Sequence, residues 1–90
     1  MIEIYLLEQL DAFARHGTLS AAAQALHTSQ PSMTRAMQKL EDELGVALFI
    51  RSKNHLALNE TGRRAAQYAR HVLTADQDFE DIRKQLFQTA

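Results

Sequence analysis

Side chains able to hydrogen-bond to DNA bases occupy one face of the segment between Ser29 and Leu44. At about 100° per residue of an α-helix, Thr34, Arg35 and Gln38 fall on the same side. Arg and Gln make paired hydrogen bonds to guanine and adenine in the major groove. The opposite side is apolar and carries Met33, Met37, Leu40 and Leu44. The simpler alternative is a solvated polar face on a surface helix.

A second group of polar residues follows this segment. Arg51, Lys53 and His55 stand close together, and residues 51–71 hold five Lys and Arg against one acid. The whole chain has a formal net charge of −1, which by itself counts against nucleic-acid binding. Because the charge is segregated, a local positive surface can still bind phosphate. Taken alone, however, a charged hairpin tip is usually only solvated.

The elements that must carry these groups are mainly helical. Apolar spacings of three and four predict helices over 4–14 and 30–44, with a short helix between them that begins after Thr18 or Ser20. Gly17 is expected to end the first helix, and His27-Thr28 forms a tight break between the second helix and the third. Ser29 is expected to cap the third helix, and Gly45 is placed to end it. Two short helices joined by a tight turn form a helix-turn-helix, whose second helix enters the major groove.

Residues 48–58 predict a small β-hairpin, since short, partly alternating apolar runs flank a polar turn. Asn59 is a good N-cap for a last helix that meets no breaker before about residue 87, and Gly62 is expected to be tolerated in its first turn. We therefore predict an all-α fold with one β-hairpin. Residues 1–58 form the helix-turn-helix domain, and residues 59–90 form a linker helix.

Apolar residues follow one another along the last helix at alternating spacings of three and four. After Ala65 this seam comprises Tyr68, Val72, Ala75, Phe79, Ile82 and Leu86. Such an unbroken series is typical of a coiled-coil contact. Packing against the chain's own core explains the beginning of the seam, but the helix is too long for that core to cover. A second copy of the chain is the favoured partner.

Several classes of protein are excluded by what the sequence lacks. The chain has no Cys, and its four His are too scattered to suggest a metal site. Neither a catalytic set of side chains nor a phosphate loop stands out, so we expect no enzyme activity and no cofactor. No apolar run approaches the roughly 18 residues of a membrane span. The first residues lack the features of a signal peptide, which predicts no membrane association and a cytoplasmic location.

Several motifs along the chain have a characteristic spacing. They are Leu10-x-x-Phe13, Gly17-Thr18-Leu19-Ser20-x-Ala22-Ala23-x-x-Leu26, Ser29-Gln30-Pro31-Ser32-Met33-Thr34-Arg35, Leu40-Glu41-x-x-Leu44-Gly45 and Leu48-Phe49-x-Arg51. Over nearly its whole length the chain thereby resembles the N-terminal domain of LysR-type transcriptional regulators.

This resemblance implies a winged helix-turn-helix followed by a linker helix that pairs two subunits as a homodimer. The implied ligand is double-stranded DNA, read as an inverted repeat. The residues expected to approach DNA are Ser29, Gln30, Pro31, Ser32, Thr34, Arg35 and Gln38, with Arg51, Lys53, Asn54 and His55 in or near the wing. The family usually has a basic residue where this chain has Asn54. A small-molecule effector is expected to act only through a C-terminal domain that this chain lacks.

Two alternatives stay open at this point. Other winged-helix regulators, such as the MarR-like proteins, also pair through terminal helices. A helical dimerisation module with no role in nucleic-acid binding is a different class, and the near-neutral charge favours it. The face formed by Gln30, Thr34, Arg35 and Gln38 opposes it.

Overall fold

Four helices and one hairpin make up the fold. The computed structural model describes the backbone of residues 2–89 and the side chains of residues 2–86. The elements in chain order are α1 (Ile4–His16), α2 (Leu19–Ala25), α3 (Gln30–Leu44), β1 (Phe49–Ser52), β2 (His55–Leu58) and α4 (Glu60–Thr89). The predicted fold class, all-α with a small hairpin wing, is confirmed.

The ends of the first three helices follow from local side-chain chemistry. Thr18 rather than Ser20 caps α2, because its hydroxyl oxygen accepts a hydrogen bond from the N–H of Ala21 at 3.1 Å. Ser29 caps α3 by accepting from the N–H of Ser32 at 3.1 Å. Glycines in the left-handed conformation end α1 and α3, as the sequence predicts.

The core lies where α1, α2 and α3 meet under the hairpin. Its largest fully buried side chains are Leu6, Leu10, Met33, Met37, Leu40 and Leu48. Phe13 of α1 packs edge-on against Phe49 of β1, with ring centroids 5.3 Å apart. Leu44, which the helical period assigns to the apolar face, is 41% exposed because α3 ends there, beyond the core.

The hairpin is antiparallel and pairs Phe49 with Leu58 and Ser52 with His55, which leaves Lys53 and Asn54 as the turn. The backbone of Asn54 is left-handed, with φ 61°. Asn tolerates this conformation better than most side chains. Turn geometry therefore explains the presence of Asn at this position of the wing.

Asn59 and Gly62 join the hairpin to α4. The Asn59 side-chain oxygen accepts from the N–H of Gly62 at 2.7 Å, while its amide nitrogen donates to the carbonyl of Ala47 at 3.0 Å. A Cβ on Gly62 would collide with the backbone carbonyl of Leu48. The expectation that Gly62 is merely tolerated is wrong, because the close approach of the two backbones requires glycine here.

Two different stripes run along α4. Gly62, Ala66 and Ala69 are buried against the body of the domain. The predicted seam lies roughly 100° further around the helix, and only Ala65 and Val72 touch the core from its edge. The expectation that the beginning of the seam packs on the core therefore needs correction, since Tyr68 is 64% exposed. The proposed division at residues 58 and 59 stays a prediction, and in the structure the start of α4 shares the core of the preceding elements.

Candidate nucleic-acid interface

The outer face of α3 presents the polar side chains that the sequence singles out. Gln30, Thr34, Arg35 and Gln38 are exposed, while Met33 and Met37 on the other side are buried. Pro31 lies exposed in the first turn, where its missing N–H leaves no hydrogen bond unmade. The helix therefore offers a continuous row of hydrogen-bonding groups along its exposed side.

A groove of about 450 Å³ lies between this face, the start of α2 and the hairpin. Of the predicted site residues it brings together Gln30, Thr34, Arg51, Asn54 and His55. Its lining also includes Thr18 and Ser20, which the sequence pattern identifies only as helix caps. A helix cap and a groove-lining residue have the same sequence pattern here. Only the fold shows that Thr18 and Ser20 border the groove.

The beginning of α3 has its own hydrogen-bond chain. The Ser29 hydroxyl donates to the Ser32 oxygen at 2.9 Å, and a terminal nitrogen of Arg35 donates to that same oxygen at 3.2 Å. Arg35 is thereby aligned along the helix surface toward its N-terminus. All of these groups except the half-buried Ser32 are exposed, so a ligand can exchange with these contacts.

Glu41, the first residue of the acidic run Glu41-Asp42-Glu43 at the end of α3, contacts the hairpin. One Glu41 carboxylate oxygen accepts from Arg51 at 3.0 Å, and the other accepts from the N–H of Leu48 at 2.7 Å. Arg51 also reaches the side-chain oxygen of Gln38 at 3.5 Å. Because Glu41 offsets the charge of Arg51, the positive charge of the hairpin tip rests mainly on Lys53, which is exposed.

A cation outside the predicted set lies on the α1 side of α3. Lys39 donates to the Glu3 carboxylate at 2.9 Å and contacts the Tyr5 hydroxyl at 3.5 Å. Hydrogen bonding to Glu3 and then to Tyr5 raises the pKa of Lys39 above its ordinary value. Lys39 and Arg35 line one hollow beside the outer face of α3. The spacing of Arg35 and Lys39, one helical turn apart, is the sequence signal that points to this pair.

The predicted dimer residues form an exposed apolar stripe on α4. Phe79, Ile82 and Leu86 are 63, 54 and 66% exposed. Ala75 is also exposed, and Val72 is half-buried. The sequence thus identifies a stripe that the described part of the chain leaves largely uncovered.

Other kinds of site are not found within residues 2–89. No three His, Asp or Glu side chains among the described residues come together as metal ligands. None of the helices described is long and apolar enough to span a membrane.

A tri-helical core, a helix-turn-helix and a hairpin beside the exposed helix define a winged helix-turn-helix protein. Residues 4–63 match the family described as bacterial regulatory helix-turn-helix protein, lysR family. The chain belongs to this family. The MarR-like alternative is thereby replaced by the family that the motifs indicate.

Named relatives agree with this assignment. The chain is 35% identical over 80 residues to the RuBisCO operon transcriptional regulator of Allochromatium vinosum, which covers 89% of the chain and 26% of the relative. It is 42% identical over 72 residues to the transcriptional regulator TcbR of Pseudomonas sp. strain P51, covering 80% of the chain and 24% of TcbR. The chain thus spans about a quarter of the length of these relatives.

A solved structure resembles the fold closely. The DNA-binding domain of CbnR, crystallised with DNA, superposes with a TM-score of 0.86 at 36% sequence identity, covering 94% of this chain and 98% of that one. The chain therefore corresponds to the DNA-binding domain of LysR-type regulators. The prediction that it is not an enzyme is confirmed, because the relatives are named transcriptional regulators.

Proposed function

We propose that this domain binds duplex DNA sequence-specifically, with α3 in the major groove and the hairpin on the adjoining backbone. The observation that carries the proposal is the exposed row of Gln30, Thr34, Arg35 and Gln38 beside the groove. A major groove about 12 Å wide admits an α-helix, and each base pair presents a distinct pattern of donors and acceptors there. Since bacterial genomic DNA is cytoplasmic, we propose the cytoplasm as the place of action.

The side chains on the exposed face of α3 form two groups, one that reads bases and one that contacts the DNA backbone. Arg35 and Gln38 are long enough to reach base edges and have the planar groups that pair with guanine and adenine. Short hydroxyl and amide groups at the start of α3 suit phosphate oxygens, where backbone N–H groups also point. This second group comprises Ser29, Gln30, Ser32 and Thr34, and Pro31 lies among them without a donor of its own.

The hairpin contributes affinity that depends little on sequence. Lys53 and His55 are exposed at its tip, and Arg51 lies on β1 two residues before Lys53. Asn54 lacks the positive charge that a narrow minor groove attracts. Phosphate contacts of this kind weaken with salt, because binding releases counterions from the DNA.

Selection from random duplexes followed by binding to single-base variants tests the proposal. Arg35→Ala should weaken binding to the selected site by about 1–3 kcal/mol and relax the preference at one base pair. Arg64→Ala, which removes an exposed Arg from α4, is the matched control and should keep every base preference. Equal weakening on all sequences would instead assign Arg35 to phosphate. If no duplex is bound, the alternative of a helical dimerisation module gains support.

We also propose a homodimer through the α4 stripe, with the two helices antiparallel. Arg63, Arg64 and Arg70 lie in the first part of α4, whereas four acids lie within residues 76–81. In an antiparallel pair centred on Ala75, Arg70 of each helix lies opposite Glu80 and Asp81 of its copy, whereas a parallel pair would set the acids of residues 76–81 against one another. Large side chains would also face smaller ones, with Phe79 opposite Val72 and Ile82 opposite Tyr68.

Cross-linking tests the antiparallel arrangement, and the absence of native Cys makes the experiment clean. In this register Ala75 faces its own copy at the two-fold axis, so Ala75→Cys should form a disulfide dimer. Tyr68→Cys/Ile82→Cys should also cross-link, since the thiol at position 68 of one helix faces the thiol at position 82 of its copy. Tyr68→Cys alone should not, whereas efficient cross-linking of that single variant would indicate parallel helices. A two-fold dimer would read DNA as an inverted repeat.

We propose no small-molecule site in this domain. Regulation by a small molecule would require further parts of a longer protein. The relatives are about four times longer than the matched segment. We therefore propose that any effector is bound by a C-terminal domain and acts on this domain through α4.

A further inference from the structure

Glu41 stands at the junction between α3 and the hairpin. Its side chain is only 10% exposed, and both carboxylate oxygens are occupied. One accepts from the backbone N–H of Leu48, just before β1, and the other from Arg51 within β1. A single carboxylate therefore fixes both the entry to the hairpin and the Arg side chain that extends from it toward α3.

The same contact extends to a proposed base-reading residue. The Arg51 nitrogen that binds Glu41 also lies 3.5 Å from the side-chain oxygen of Gln38, a long and weak hydrogen bond. The amide nitrogen of Gln38 donates to Asp42 at 3.1 Å. Both ends of the Gln38 amide are therefore held from within the protein, and each end faces a partner of complementary charge.

This arrangement still leaves the amide free to read a base. An amide oxygen has two lone pairs and an amide nitrogen has two hydrogens, so one of each remains available on Gln38. One free acceptor beside one free donor is the pattern that pairs with adenine N6 and N7. If the amide were rotated by 180°, its donor and acceptor would be exchanged and this pairing would be lost.

Resting on the proposed DNA-binding function, we propose that Glu41 is a positioning residue that sets the base preference of Gln38 through Arg51. Glu41 holds the Arg51 guanidinium, and the guanidinium holds the amide oxygen of Gln38 on one side. The preference produced in this way is for adenine at the base pair facing Gln38. Glu41 itself does not touch DNA in this account.

The test measures binding of the wild-type chain and variants to every single-base variant of a duplex selected by the wild type. Glu41→Gln should lower the preference for adenine at one position by about fivefold or more. At the position read by Arg35 the preference should change less than about twofold. In a Gln38→Ala background, Glu41→Gln should cause no further loss of preference, since its effect passes through Gln38.

Two variants control for folding and charge. Glu43→Gln removes the same charge from an adjacent, exposed residue and should leave all preferences as in the wild type. Arg51→Lys keeps a positive charge beside Glu41 but lacks the branched group that also reaches Gln38, so it should reproduce the loss at the adenine position. This variant tests the inference even if Glu41→Gln unfolds.

The outcomes separate this inference from the proposed function. A wild-type chain with base preferences that neither Glu41→Gln nor Arg51→Lys alters overturns the inference alone. An equal loss at every position also overturns it, because that result indicates a purely structural role. A wild-type chain without base preferences overturns the proposed function and the inference together.

Discussion

The two halves of α4 differ in the burial of their apolar residues. In the first half, small residues are buried: Ala66 is 7% exposed and Ala69 is fully buried. In the second half, the large residues Phe79, Ile82 and Leu86 are each more than half exposed. Side-chain size therefore does not follow burial along this helix.

The contrast shows what each half packs against. Small side chains allow the first half to approach the body of the domain closely, and Gly62 meets the Leu48 carbonyl directly. The second half extends past that body, and among the described residues its large side chains Phe79 and Ile82 are mostly exposed. An isolated helical extension is also marginally stable without tertiary contacts. The first half of α4 thus packs against the body of the domain, and in our proposal the second half packs against α4 of a second copy.

The largest effect should come from charging the exposed half. Burial stabilises a large apolar side chain by about 1.5–3 kcal/mol. Phe79→Glu/Ile82→Glu removes two such side chains from each chain, four in the dimer, so the free energy of dimerisation should weaken by about 6 kcal/mol or more. Sedimentation equilibrium at micromolar concentration should show a dimer for the wild type and a monomer for this variant.

Gln67→Glu/Thr74→Glu is its matched control, because it adds the same two charges to exposed positions outside the stripe. The control should stay dimeric. A wild-type monomer at micromolar concentration, or a doubly charged stripe variant that stays dimeric, contradicts the pairing through this stripe.

Adding one methyl group at Gly62 should destabilise the packing of the first half of α4 against the domain. Gly62→Ala places a Cβ against the Leu48 carbonyl, and overpacking against backbone costs about 3 kcal/mol. Chemical denaturation should show this loss of unfolding free energy. Gly45→Ala adds the same group where nothing lies within 4 Å, so it should cost only the strain of a left-handed alanine, about 1 kcal/mol. Equal losses in the two variants would mean that the close approach at Gly62 is unimportant.

Asp11 tests the boundary between the two halves. It is 4% exposed and binds Arg15 within α1 at 3.0 Å and Arg70 of α4 at 3.5 Å. Asp11→Asn keeps the shape but removes the charge, and we expect a loss of about 1–2 kcal/mol because both Arg side chains are more than half exposed. Glu8→Gln, on an exposed position of α1, should change stability much less. Dimerisation should be unaffected in both, and a monomeric Asp11→Asn would show that the halves are not independent.

The smallest effect should come from the turn between α2 and α3. His27, between α2 and α3, has a left-handed backbone with φ 55°. His27→Gly should stabilise the domain by about 0.5–1 kcal/mol, since relief of the strain exceeds the added flexibility of the unfolded chain. Thermal unfolding measures this gain, with Thr28→Gly as a control that should destabilise. A loss of stability in His27→Gly would indicate that the imidazole makes a stabilising contact.

Features set by neighbouring residues were predictable from the sequence. Ser29 as a helix cap and the stop signals at Gly17 and Gly45 depend on only a few adjacent positions, so their patterns identified the helix ends. Asn59 at the start of α4 follows the same rule. The polar face of α3 was also predictable, because one helical period determines which residues share it.

Features that depend on distant parts of the chain were not predictable. The requirement for glycine at position 62 arises from the Leu48 carbonyl, and the sequence holds no sign of that approach. The contact of Glu41 with Arg51, ten residues later, joins α3 to the hairpin, and no local pattern predicts it. The two stripes of α4 have the same spacing of three and four, so periodicity revealed a seam but not which stripe faces the core.

We propose above all that a dimer of this chain reads duplex DNA through α3. Footprinting on duplexes selected by the wild-type chain from a random library tests it most directly. We expect two protected half-sites arranged as an inverted repeat on one face of the DNA, with protection weakening as salt rises. Failure to enrich any sequence, or protection of one isolated half-site by the wild-type chain, would contradict it.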